Sequence, residues 1–97
     1  MTVLMTGLLE FPVQRITIYT KSTCPYCHAA RQLLNAKGAA FEEIDILQHP
    51  EQRATMIDRA GGRTTVPQIF IGGQHVGGSD DLHALDAAGK LDALLNG

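Results

Sequence analysis

From Arg15 onward the hydrophobic and polar positions switch between a period of two and a period near 3.6, and each switch marks an element. Arg15-Ile16-Thr17-Ile18-Tyr19 alternates in β-forming residues and predicts a strand, with Tyr19 packing within it. After the polar Thr20–Thr23 loop, Cys27, Ala30 and Leu34 recur at helical spacing with Leu33 beside them. Thr23 reads as the N-cap of that helix, Pro25 suits its first turn and Gly38 follows Lys37 as its stop. A second strand is expected over Phe41–Leu47, carried by Phe41, Ile44 and Ile46. Pro50 then opens a helix in which Glu51 suits the positive N-terminal end, and Gly61-Gly62 closes it near Ala60.

Gln68-Ile69-Phe70-Ile71, Gly72-Gly73 and Gln74-His75-Val76 read as a hairpin with a two-glycine turn, Phe70 being a core position. Asp80-Asp81 begins another helix with Leu82, Leu85 and Ala88 along one face. Gly89 interrupts it, and Leu91, Leu94 and Leu95 make a last helical turn or two. The order is βαβαββα(α). A strand–helix–strand unit implies a parallel pair with a right-handed crossover, and the hairpin adds two antiparallel strands. The expected fold is α/β, a four-stranded mixed sheet flanked by helices. Residues 15–97 form one domain on this reading, while residues 1–14, aperiodic and containing Pro12, are expected to be a poorly ordered N-terminal extension.

Composition narrows the chemistry. Ninety-seven residues, 44% hydrophobic and without Trp, give one modest core. Eight basic against ten acidic residues leave a net charge of −2, so nothing suggests the basic surface that a nucleic-acid partner requires. No stretch approaches the roughly 18 apolar residues of a membrane span, and Met1–Leu9 lacks the charged start of an export signal. A membrane association is therefore not expected, and the natural location is a reducing cytoplasm.

The two cysteines, Cys24 and Cys27, are separated by only two residues. A disulfide closing so short a loop adds little chain entropy, so the pair is a poor staple and a better redox centre. Thiolate is the nucleophilic form, and a helix N-terminus favours it. Cys24, at the helix start, faces the free N–H groups; Cys27, one turn in, is expected to be more buried and less acidic. Cys24 then attacks and Cys27 resolves the mixed disulfide. Lys21 adds positive charge nearby. A zinc site joining the pair to two of His28, His49, His75 and His83 is disfavoured, since no second CxxC or His-x₃₋₅-His follows. His28 reads as a helix-surface residue, and His49, His75 and His83 receive no role.

Lys21-Ser22-Thr23-Cys24-Pro25-Tyr26-Cys27, then Thr65-Val66-Pro67, then Gly77-Gly78-Ser79-Asp80-Asp81 together resemble a class I (dithiol) glutaredoxin, most like its small bacterial members. The resemblance covers about residues 15–96. It implies a thioredoxin-like fold, in agreement with the element order, and glutathione-dependent reduction of protein–glutathione mixed disulfides and protein disulfides. It also implies a glutathione site. Lys21 would pair with the glycine carboxylate, Tyr26 would flank the cysteinyl portion, and Val66, with Thr65 beside it, would bond the peptide backbone. Pro67 matches the family's cis proline. Gly78, Ser79 and Asp80 match the segment holding the γ-glutamyl end, and Arg63 could assist with a carboxylate. Glutathione is implied as a co-substrate, with no tightly bound cofactor and no metal. The partners implied are glutathione and glutathionylated or disulfide-containing proteins, met by a monomer. Two rivals are a thioredoxin-type protein indifferent to glutathione and an iron–sulfur carrier. The first would lack the Lys21 and Gly78-Ser79-Asp80 signals; the second usually carries a single cysteine in a CGFS motif.

Overall fold

A computed structural model describes residues 14–96. Its elements are β1 (Ile16–Thr20), α1 (Pro25–Ala36), β2 (Glu42–Asp45), α2 (Gln52–Arg59), β3 (Gln68–Ile71), β4 (Gln74–Gly77), α3 (Ser79–Ala87) and α4 (Leu91–Leu95). The sheet runs β2-β1-β3-β4. β1 is parallel to β2, with Thr17 opposite Glu42 and Thr20 opposite Asp45. It is antiparallel to β3, with Ile16 opposite Ile71 and Tyr19 opposite Gln68. The mixed sheet and the element order expected from the sequence are both present. Of the expected N-terminal extension, residues 1–13 lie outside the described residues. Gln14 already belongs to the fold, its main-chain N–H donating to the Leu95 carbonyl at 3.3 Å.

Helices cover both faces of the sheet, which sorts alternate strand residues into two cores. Ile16, Ile18, Ile69 and Ile71 pack against Ala30 and Leu34 of α1, Leu82 of α3, and Leu91 and Leu95 of α4. On the other face Tyr19 and Phe70 pack with Ile46, Met56 and Ala60 under α2. The ring of Phe70 meets Tyr19 edge-on at 5.8 Å, and the Arg59 guanidinium lies 4.2 Å from its centroid while donating to the Tyr19 hydroxyl at 2.9 Å. Tyr19 and Phe70 are thus buried packing residues, as expected. The two short C-terminal helices are tied to α1 by Lys37, whose ammonium meets Asp86 at 2.7 Å and Asp92 at 3.0 Å.

Several boundaries differ from the sequence reading, each for a local reason. β1 is shifted one residue, to Ile16–Thr20, because Thr20 still pairs with Asp45. The second strand is shorter than Phe41–Leu47. The Asp45 side chain captures the Leu47 N–H at 2.8 Å and turns the chain away. The helix expected from Pro50 begins at Gln52, after tight turns in which Gln52 bonds His49 and Arg53 bonds Pro50. Thr23 is not the N-cap of α1: Cys24 is, in extended backbone with its sulfur accepting from Cys27 N. The helix expected from Asp80 starts at Ser79, with Gly78 in the N-cap position.

Candidate active site

The reactive pair sits where β1 delivers the chain into α1. Cys24 N–H donates to the Lys21 carbonyl at 3.1 Å, closing the loop, and Pro25 in the first turn needs no hydrogen-bond acceptor. Cys24 Sγ accepts the Cys27 main-chain N–H at 3.3 Å, so the sulfur takes the place of a capping hydroxyl. A thiolate there receives a charge-assisted bond and the positive end of the helix. Both cysteines are free, Cys24 partly exposed and Cys27 with no exposed surface. Burial, reinforced by the bond to Cys24, pushes the Cys27 thiol up to about 12. The N–H and charge contributions of Lys21 and Arg31 oppose this only in part. The two sulfurs therefore differ in access, and burial keeps the Cys27 thiol protonated at neutral pH.

Opposite Cys24 lies the turn into β3. The Val66–Pro67 peptide is cis, and Cys24 Sγ is 3.8 Å from the Val66 carbonyl oxygen, to which the thiol donates. Val66 and Pro67 also form the floor of an open cavity of about 370 Å³. Tyr26 and Thr65 line it beside them, with Arg63 and the Gly78–Asp81 segment completing the wall. The volume is within the usual range of small-ligand sites. Tyr26 is 65% exposed, a large apolar ring left at the mouth.

The Gly78–Asp81 wall is a helix N-terminus. Gly78 has no side chain to cap it, and Asp81, three residues on, reaches back to accept the Gly78 N–H at 2.9 Å. The same carboxylate is 3.3 Å from Arg63 Nη1, joining the loop before β3 to α3. The Gly78 bond first, then Arg63, hold the Asp81 carboxyl below its ordinary range, with partial burial acting the other way. Gly77 has a φ of +120°, and a Cβ there would run into the Asp81 carboxylate and the Arg63 guanidinium. Ser79 is buried, and His83 Nδ1 lies 2.8 Å from its carbonyl oxygen and 3.3 Å from its hydroxyl.

Of the residues singled out in the sequence, Tyr26, Arg63, Thr65, Val66, Pro67, Gly78, Ser79 and Asp80 meet around this one cavity. Cys24 joins it through the Val66 carbonyl. Lys21 does not line the cavity; its main chain meets the dithiol, through its carbonyl bond to Cys24 N and its N–H toward the Cys27 thiol. Three residues were given no site role by the sequence reading. Asp81 is one, although an acid three residues after a helix-opening glycine is a legible capping signal. The others are Gln68, fully buried, and His75, which bonds it. Among the described residues no group of three or more His, Cys, Asp or Glu side chains is placed to hold a metal ion, so the zinc set is not assembled here.

The comparisons with known proteins agree with this geometry. The family model described as Glutaredoxin matches residues 16–76. The chain belongs to the glutaredoxin family. It is 60% identical over 80 residues to Glutaredoxin 3 of Escherichia coli, covering 82% of this chain and 95% of that protein. The solution structure of a glutaredoxin from Brucella melitensis is similar at a TM-score of 0.74 and 57% identity, covering 84% of this chain and 88% of that one. A buckwheat glutaredoxin, crystallised as a complex with glutathione, superposes at a TM-score of 0.77 with 28% identity, covering 91% and 83%. Glutaredoxins are glutathione-dependent thiol–disulfide oxidoreductases, and with Cys24 and Cys27 this glutaredoxin is a dithiol member with that activity. Among the described residues no helix is long and apolar enough to cross a membrane.

Proposed function

We propose that Cys24 is the nucleophile and Cys27 the resolving thiol, acting on protein substrates by two routes. In the monothiol route Cys24 thiolate attacks the glutathionyl sulfur of a protein–glutathione mixed disulfide. A Cys24–glutathione disulfide forms and the protein leaves as its thiolate. A second glutathione thiolate attacks that disulfide, releasing glutathione disulfide and restoring Cys24. In the dithiol route Cys24 opens a protein disulfide, Cys27 then displaces the substrate sulfur, and the Cys24–Cys27 disulfide is reduced by two glutathione molecules. The Cys27 thiol, protonated at neutral pH, must lose its proton as it attacks, which makes resolution the slower option when free glutathione is abundant.

The observation that supports this reading best is the 3.8 Å approach of Cys24 Sγ to the Val66 carbonyl, a group that also lines the cavity. A glutathionyl group lying along Thr65–Val66 would bring its sulfur to Cys24. The Ser79–Asp80 helix start and Arg63 suit carboxylates at one end of the peptide, Asp80 suits an ammonium, and Tyr26 shields the cysteinyl portion. Lys21, from the loop before Cys24, serves the other carboxylate. Pro67 keeps the Val66 backbone turned to the dithiol, and Gly78 leaves room for the ligand main chain. Glutathione is the co-substrate, with no tightly bound cofactor. The partners are glutathionylated or disulfide-bonded proteins, met by a monomer in a reducing cytoplasm. The test is a glutathione-coupled assay, with glutathione reductase recycling the product, on a small glutathionyl mixed disulfide. Turnover saturating in that disulfide is expected; reduction by a dithiol alone with indifference to glutathione would refute the reading.

A further inference from the structure

Behind the cavity wall a polar chain that the reaction itself does not use runs from exposed Thr65 through buried Gln68 to half-buried His75. Gln68, in a strand covered on both faces, has no exposed surface. Its Nε2 donates to the Thr65 carbonyl at 2.9 Å and to Thr65 Oγ1 at 3.2 Å, and its Oε1 lies 2.7 Å from His75 Nε2. The Thr65 carbonyl can only accept, so the amide nitrogen must face Thr65 and the amide oxygen must face the imidazole. His75 therefore carries its proton on Nε2 and donates. The ring is itself fixed from the side, stacked on Phe70 with centroids 5.0 Å apart, and opposite Phe70 in the β3–β4 register. A bulge follows at once, since Ile69 opposes Gly77, leaving Val76 as the extra residue. Arg59 faces Phe70, while Arg63 and Asp81 are the charged groups that act on the imidazole.

We infer that Gln68 and His75 are positioning residues for the glutathionyl group: a relay from β4 through β3 that sets the Thr65–Val66 main chain at the height at which Cys24 meets the ligand's sulfur. Neither side chain lines the cavity, so neither touches the ligand. Both act through Thr65, which does line it. A loop of main chain presented to a peptide needs its unused polar groups held elsewhere, and Gln68 takes the Thr65 carbonyl and hydroxyl out of competition. Burial first, then the Arg63 charge, hold the imidazole below its ordinary value, with Asp81 acting against them. The neutral ring keeps Nδ1 bare and leaves the Nε2–H bond to Gln68 undisturbed.

The inference rests on the glutathione reading above and is tested by single-turnover kinetics of the reduced protein. The substrates are a glutathionylated peptide and the same peptide disulfide-linked to 2-mercaptoethanol. His75→Phe keeps the ring stack and removes the donor, and Gln68→Met keeps the volume and removes both polar ends. Each is expected to raise the half-saturating concentration of the glutathionylated peptide about tenfold, the loss of a part-buried hydrogen bond, with the limiting rate unchanged. The rate constant for the 2-mercaptoethanol peptide should not move. His75→Gln, which restores an N–H donor, should recover most of the affinity. In the unsubstituted protein, imidazole ¹⁵N shifts should report a proton on Nε2. Unchanged half-saturation in His75→Phe, or equal losses on both substrates, would overturn the inference while leaving the glutathione reading intact. An unsubstituted protein that handles both peptides alike would overturn that reading, and the inference with it. Should Gln68→Met fail to fold, His75→Phe decides alone.

Discussion

Cys24 Sγ and Cys27 N lie 3.3 Å apart, so the sulfur proposed as the nucleophile is also the group that caps the helix. Capping and nucleophilicity draw on the same hydrogen bond. Cys27, whose N–H supplies that bond, keeps its own thiol buried one turn inside.

Exchanging each sulfur for oxygen separates the two roles. Cys24→Ser retains a capping oxygen and should fold normally, yet lose all turnover of a glutathionylated peptide. Cys27→Ser should keep that turnover and lose reduction of protein disulfides. The check is steady-state kinetics on both substrate types. An active Cys24→Ser beside a dead Cys27→Ser would reverse the assignment.

The gap between the sulfurs should be readable by alkylation. With Cys27 held up at about 12, iodoacetamide at neutral pH should add once to the reduced native protein, and Cys24→Ser should remove the adduct. The second adduct should become faster only as pH rises toward that value. Peptide mass spectrometry over a pH series measures this, and two adducts growing at equal rates near neutrality would contradict it.

Asp81 gives the wall an acid limit. Its carboxyl titrates below the ordinary 3.8, so its contribution to stability is complete above that value and is lost as pH falls through the lower folded value. Urea midpoints should drop on acidification below about pH 4, and less so in Asp81→Asn, which keeps an acceptor for Gly78 but has no carboxyl to protonate. Equal acid sensitivity in the two proteins would place the effect elsewhere.

Gly77→Ala should be costly in a way that exposed glycines are not. The alanine would face a φ of +120° and drive its methyl group into Asp81 and Arg63. A loss of about 1–3 kcal/mol is expected in urea unfolding. Affinity for the glutathionyl group should fall as well, because Asp81 and Arg63 line the cavity. Gly73→Ala, also at positive φ but with open space at Cβ, should cost only stability.

Much of this was legible along the chain because single-element signals are strong where packing is simple. Cys27, Ala30 and Leu34 spell the buried face of α1, and Gly38 marks its end at a φ of +68°. The Cys24–Cys27 spacing and the Thr65-Val66-Pro67 and Gly78-Ser79-Asp80 segments pointed to residues that the fold brings together, Lys21 excepted. Gln68 was hidden because a polar residue opening the apolar run Ile69-Phe70-Ile71 reads as facing water. Here α2 covers that face too, and a glutamine beneath it must find partners. His75 was hidden for the reciprocal reason: its partner is a cross-strand side chain, and register is not written locally. Thr23 looked the better cap because hydroxyls cap helices more often than thiols do.

The Lys37 ammonium grips Asp86 and Asp92 with side chains from 24% to 69% exposed, while Leu91 and Leu95 of the same short helix are buried. The C-terminal end is therefore fastened in two ways that answer oppositely to dissolved ions. Sodium chloride screens the carboxylate grip within about a Debye length, whereas sulfate strengthens apolar burial. At matched ionic strength the two salts should move α4 toward loosening and toward tightening.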